Sequence, residues 1–238
     1  MPAGPLPASL ADGPRVLLTG AQGLVGGRVL ERLLAAGLEV LAPTRRPLER
    51  AHAGLVNPVF DGARALQARD GSLKRLLQGE RAQVWISALG TTQAKAGNPA
   101  AFVAVDRDLV LRFAGIARQI GVRHAILVSS VGAHPKARSF YLRIKAEAER
   151  GLAERNFPRV DILRPGLLLG AREEPRPAED FAKRLMPLLN PLLLGPLARW
   201  RAIPADTVAD AAVALVRSGG SGWFVHEYAA MVEAAKRG

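Results

Sequence analysis

The feature that most constrains this chain is a glycine turn set between an apolar strand and an amphipathic helix. Arg15–Thr19 (RVLLT) reads as a strand, and Thr19-Gly20-Ala21-Gln22-Gly23-Leu24-Val25-Gly26 follows it. Val25, Val29 and Leu33 then recur at helical spacing from Leu24 to Ala36, and Gly37 stops the helix. Glycine lets the chain turn at positive φ and lets another group approach the backbone with no Cβ in the way. The new helix points unpaired N–H groups and its positive dipole end at the turn, so the turn is a site for an anion. The spacing is G-x-x-G-x-x-G, and Gly26, one turn in, allows close helix-on-strand packing. After a strand and before a helix, this arrangement is built to hold the pyrophosphate of a dinucleotide. The expected contacts are Gly20, Gln22, Gly23, Leu24, Val25 and Gly26.

The rest of the chain repeats the strand–helix alternation. Strands are expected at Glu39–Ala42, from Val59-Phe60, at Val84–Ala88, Ala125–Ser129 and Val160–Leu163. Helices are expected at Leu73–Gln78 and Ser139–Glu154, and over Phe102, Val105, Leu109, Phe113, Ile116 and Ile120 up to Gly121. Thr207–Val216 and Glu227–Lys236 close the pattern, with a Pro-rich loop at Glu174–Pro177. The expected fold is α/β, a doubly wound parallel sheet of Rossmann type. Residues 1–14 read as a flexible Pro/Ala leader, and 15–238 as one NAD(P)-binding domain whose last part, from about 170, completes the substrate side.

Composition excludes several alternatives. There is no cysteine, which rules out disulfides, thiolate metal sites and cysteine nucleophiles. Histidines 52, 124, 134 and 226 lie apart in sequence, so no metal site is expected. The most apolar stretch, Leu185–Leu197, is broken by Pro and Gly and falls short of the roughly 20 residues of a membrane span. The net charge of +12 raises the question of nucleic acid, but the basic residues are scattered and aromatics are only 5%. A solvated Arg-rich surface is the better reading, with no specific nucleic-acid binding. The leader lacks the charged and apolar regions of a signal peptide, and a cytoplasmic location is expected.

The end of the second strand bears on the choice of nicotinamide cofactor. An NAD site usually offers a carboxylate to the ribose hydroxyls there. Here the residues are Ala42-Pro43-Thr44-Arg45-Arg46. Two guanidiniums suit a 2′-phosphate, so Thr44, Arg45 and Arg46 point to NADPH ahead of NAD(H).

Ser129-Ser130 end the fifth strand at the carboxyl edge, where open α/β sheets bind ligands. Tyr141 and Lys145 follow on the next helix, and i, i+4 spacing puts them on one face. A lysine ammonium near a phenol favours the phenolate and lowers a pKa that starts at about 10. The tyrosine thereby becomes a usable general acid or base.

The turn TGAQGLVG, the VSS strand end and Y-x-x-x-K together resemble the short-chain dehydrogenase/reductase superfamily. Ser87-Ala88-Leu89-Gly90-Thr91-Thr92, Lys95-Ala96-Gly97, Val105-Asp106-Arg107-Asp108, Ser129-Ser130-Val131-Gly132-Ala133 and Leu163-Arg164-Pro165-Gly166-Leu167 narrow this to its atypical branch typified by the Tat-interacting oxidoreductase. The resemblance implies a catalytic set of Ser130, Tyr141 and Lys145, with Tyr141 as the proton-transfer group and Lys145 on the nicotinamide ribose. It implies Ala88, Leu89 and Gly90 along the adenosine, Asp61 at the adenine, and Pro165, Gly166 and Leu167 beside the nicotinamide. Many members carry a relay asparagine after strand four; Val105–Asp108 contains none. The leading expectation is NADPH-dependent hydride transfer to a carbonyl of an unidentified small molecule. An NADPH-bound regulatory module with a protein partner, and an epimerase or isomerase retaining its cofactor, stand as alternatives.

Overall fold

A computed structural model of the chain describes residues 13–67, 71–92, 96–170 and 193–237. Its strands are β1 (Val16–Thr19), β2 (Val40–Leu41), β3 (Leu55–Val56), β4 (Val84–Ser87), β5 (His124–Val128), β6 (Arg159–Leu163), β7 (Leu168–Leu169), β8 (Ile203–Pro204) and β9 (Gly222–His226). Seven of them form one parallel sheet in the order β3-β2-β1-β4-β5-β6-β9, and β7 pairs with β8 in a small second sheet. β1, β4 and β5 are buried along their whole length, as a parallel sheet covered on both faces requires.

Alternate residues of each strand feed opposite layers. Val16 and Leu18 join the cluster under α1 (Leu24–Ala35), whereas Leu17 joins the opposite one. The short α2 (Gly62–Ala65) and α3 (Ser72–Leu76) follow β3. α4 (Pro99–Val103) runs through a π-helical turn (Ala104–Leu109) into α5 (Val110–Gln119). α6 (Phe140–Ala153) lies after β5, and α7 (Ala205–Leu215) and α8 (Tyr228–Ala235) close the chain. α1, α7 and α8 cover one face; α3, α5 and α6 cover the other. This is the doubly wound Rossmann arrangement expected.

Three details differ from the sequence reading. The third strand is Leu55–Val56, in register with Val40-Leu41, and Val59 forms only an isolated bridge to Thr44. Pro58 has no N–H to give to a ladder, and the Asn57 amide bonds to the Ala42 carbonyl and the Thr44 hydroxyl instead. The apolar run Trp223-Phe224-Val225 forms a seventh strand at the outer edge. The helix over Phe102–Ile120 is interrupted by its π turn. Trp85 is core, fully buried, and donates to the Thr19 hydroxyl at 3.1 Å. The Glu174–Pro177 loop and most of Leu185–Leu197 and of the leader lie outside the described residues.

His124 and His226, remote in sequence, converge on one carboxylate. Asp161 receives His124 Nε2 at 2.7 Å, His226 Nε2 at 2.6 Å and Arg159 Nε at 2.6 Å. Burial alone would raise the Asp161 pKa; the hydrogen bonds from His124, His226 and Arg159 overcome it and hold the carboxyl well below the usual carboxylate range.

Candidate functional site

Gly20 sits at φ +88°, and a Cβ there would come within 2.5 Å of the Ala88 carbonyl. A Cβ on Gly26 would overlap the Gly20 carbonyl, so both glycines are required by close approach. Gly23 N–H closes the turn on the Gly20 carbonyl at 2.9 Å. No side chain caps α1, and its first turn holds no acid. Its N–H groups and dipole face a cradle that stays narrow only with glycine, a fit for a bound pyrophosphate.

Gln22 does something the sequence did not show. Its amide donates to the Arg46 carbonyl at 2.9 Å, and the Thr44 hydroxyl donates to the same oxygen at 2.6 Å. The loop after β2 is thus pinned to the glycine turn while the Arg45 and Arg46 side chains stay exposed. Asp61 caps α2, accepting from the Ala63 and Arg64 N–H groups, so one of its oxygens is already committed to the fold.

The loop after β4 joins the turn to the other end of the site. Ala88 and Leu89 back onto Gly20, while a Cβ on Gly90 would stand 3.5 Å from Lys145 Nζ. Gly90 therefore lies beside the lysine. Tyr141 and Lys145 share a face of α6, with Nζ 5.8 Å from the Tyr141 ring centre. The ring also packs on Phe102 at 5.8 Å.

Lys145 is buried and reaches Asp106 Oδ1 at 2.8 Å, and the other Asp106 oxygen accepts the Thr91 N–H at 2.8 Å. Burial on its own would lower the Lys145 pKa; Asp106 outweighs it, with Tyr141 and Glu149 adding to the effect, and the ammonium is held above its ordinary range. Sequence reasoning passed over Asp106 because it looked for an asparagine. The signal was there: Asp106 falls between Phe102 and Leu109 on the buried face of its helix.

Glu149, one further turn along α6, accepts from the Ser129 hydroxyl and from Arg164 Nε and Nη2. Ser129 is thereby part of the scaffold. Ser130 is half-buried at the strand end, and its hydroxyl makes a long contact, 3.3 Å, to the Val131 carbonyl. Pro165 accepts the Val131 N–H, and Leu167 accepts the Ile203 N–H. Gly166 packs on the backbone of Trp200 and Arg201, and the Trp200 ring covers Gly132. The Gly195–Trp200 turn thus roofs the loops after β5 and β6. His134 is exposed, accepting from the Lys136 N–H.

A family model described as the NAD dependent epimerase/dehydratase family matches residues 16–196. The chain is 34% identical over 218 residues to the protein named HTATIP2 of Rattus norvegicus, covering 87% of this chain and 83% of that one. It is 37% identical over 174 residues to the protein named fmp52, mitochondrial, of Emericella nidulans, covering 71% and 72%. Among solved structures, the Bordetella bronchiseptica enzyme WbmG in complex with NAD superposes with a TM-score of 0.65 at 17% identity, over 91% of this chain and 73% of that one. A UDP-glucose 4-epimerase from Thermotoga maritima gives 0.65 at 15% identity, over 90% and 76%.

These relatives correct the expected location. The FMP52 proteins of Emericella nidulans and Saccharomyces cerevisiae are named mitochondrial, which conflicts with a purely cytoplasmic assignment. The absence of cysteine carries no weight between compartments that both keep thiols reduced, and organelle addresses are read by receptors rather than by composition.

Proposed function

The chain belongs to the NAD dependent epimerase/dehydratase family, and from that premise we propose that it is an NADPH-dependent reductase acting on a carbonyl. The observation that carries this reading is the path of one loop. Ala88 backs onto the glycine cradle and Gly90 borders Lys145, so a single bound dinucleotide would meet the anion site at one end and the Tyr141–Lys145 face at the other.

When bound, the reduced nicotinamide supplies the hydride. The chain's own residues supply the rest. Lys145 has three N–H donors, one of them turned to Asp106, leaving others for ribose hydroxyls. Ser130 donates a hydrogen bond to the carbonyl oxygen. Tyr141 gives its phenolic proton to that oxygen as it becomes an alcohol. Gly20, Gln22, Gly23, Leu24, Val25 and Gly26 border the pyrophosphate, Asp61 the adenine, and Pro165, Gly166 and Leu167 the nicotinamide, under the Trp200 roof. Arg45 and Arg46 favour the 2′-phosphate of NADPH.

The test is Tyr141→Phe. Turnover in a carbonyl-substrate screen should fall by about 10²-fold or more, with NADPH affinity nearly intact. A screen that finds no turnover sensitive to this change overturns the enzyme reading. A regulatory reading, with NADPH altering affinity for a protein partner, draws on exposed Trp223, Phe224 and Val225 on the outer strand. Equal partner recovery with and without NADPH in a pull-down counts against it.

A further inference from the structure

Asp106 is fully buried, and one of its oxygens pairs with a cation that the proposed reaction uses. It sits on the one π-helical turn among the described residues, Ala104–Leu109. Such turns widen a helix locally and are found disproportionately at functional sites. One carboxylate oxygen meets Lys145 Nζ, and the other holds the Thr91 N–H just past the Ala88–Gly90 loop. Three segments therefore meet at this carboxylate: the π turn, α6 and the loop from β4.

We propose that Asp106 is the positioning residue of the site, holding Lys145 charged and aimed at the cofactor ribose and tying that lysine to the loop that runs to the glycine cradle. The inference rests on the reading of Lys145 given above and goes beyond it, because a carboxylate in direct contact with the lysine does a different job from a relay amide. An amide would leave a buried ammonium without a counter-charge, which burial disfavours. The other ionisable groups facing Lys145 are Tyr141 and Glu149, both on α6 itself. Glu149 is already engaged by Arg164 through both oxygens. Asp106 is thus the counter-ion supplied from outside the helix.

The decisive comparison is Asp106→Asn, nearly isosteric and able to keep the Thr91 contact. Side-chain nitrogen NMR of the full chain, with the Lys145 signal identified by its loss in Lys145→Arg, follows the lysine's ionisation without any substrate or cofactor. The wild-type lysine should stay charged well into the alkaline range. In Asp106→Asn it should lose its proton at a pH at least one unit lower, a tenfold change in the proton-binding constant. NADPH titrations should then show affinity that weakens as pH rises in the variant, over a range where the wild type is level. An unchanged Lys145 titration in a folded Asp106→Asn protein overturns the proposal. If the variant does not fold, the wild-type titration decides alone: a lysine that discharges below the ordinary lysine range overturns it. Failure of the reductase reading shows separately, as a wild type that does not bind NADPH while its Lys145 still depends on Asp106.

Discussion

Glu149 grips Arg164 with both carboxylate oxygens, Nε on one at 3.0 Å and Nη2 on the other at 2.5 Å. This ties the middle of α6 to the residue just past β6. The same carboxylate takes the Ser129 hydroxyl, so the ends of β5 and β6 are held at the height of the helix that carries Tyr141 and Lys145. Glu149→Ala would take from Arg164 its hydrogen-bonded carboxylate and from the Ser129 hydroxyl its acceptor. Removing one partner of a partly buried, hydrogen-bonded pair costs about 1–3 kcal/mol, and urea unfolding should register a loss of that order. A loss under about 1 kcal/mol, the scale of an exposed pair, would show that the contact does not brace the site.

Asp161 predicts acid sensitivity. Its folded-state pKa lies far below its unfolded value of about 3.9. The stabilisation is therefore complete above about pH 4 and is lost progressively as pH falls from there toward the folded value. Asp161→Asn should lower the melting temperature at neutral pH and flatten the part of the profile below about pH 4 that this residue controls. A variant that melts in parallel with the wild type down to pH 2 would remove Asp161 as the source.

Arg45 and Arg46 predict cofactor discrimination. Replacing both with alanine should weaken NADPH by about 10–100-fold, the worth of charge-assisted bonds to a phosphate, and leave NADH nearly unchanged. The wild-type preference should also shrink with added salt, because both side chains are exposed. Parallel losses for the two cofactors in fluorescence titrations would place the arginines outside the 2′-phosphate site.

The legible parts of this protein are those governed by short-range rules. The turn Gly20–Gly26 could be read because positive φ and close approach select glycine at particular positions. Tyr141 and Lys145 could be placed together because a helix brings i and i+4 to one face. The third strand was displaced by a local detail, Pro58 following Asn57, that periodicity does not weigh. Compartment left no trace in periodicity or cysteine content, and the relatives named mitochondrial corrected it.

By itself, the sequence determined the strand–helix alternation, the glycine turn and the spacing of the tyrosine and lysine, since each depends on backbone geometry over a few residues. Tertiary structure alone decided that Asp106 meets Lys145, that Glu149 binds Ser129 and Arg164, and that His124 and His226 share Asp161. Those partners come from different segments. Their meeting depends on the register of β5, β6 and β9 and on where the π turn sets its acid, and neither leaves a period in the chain.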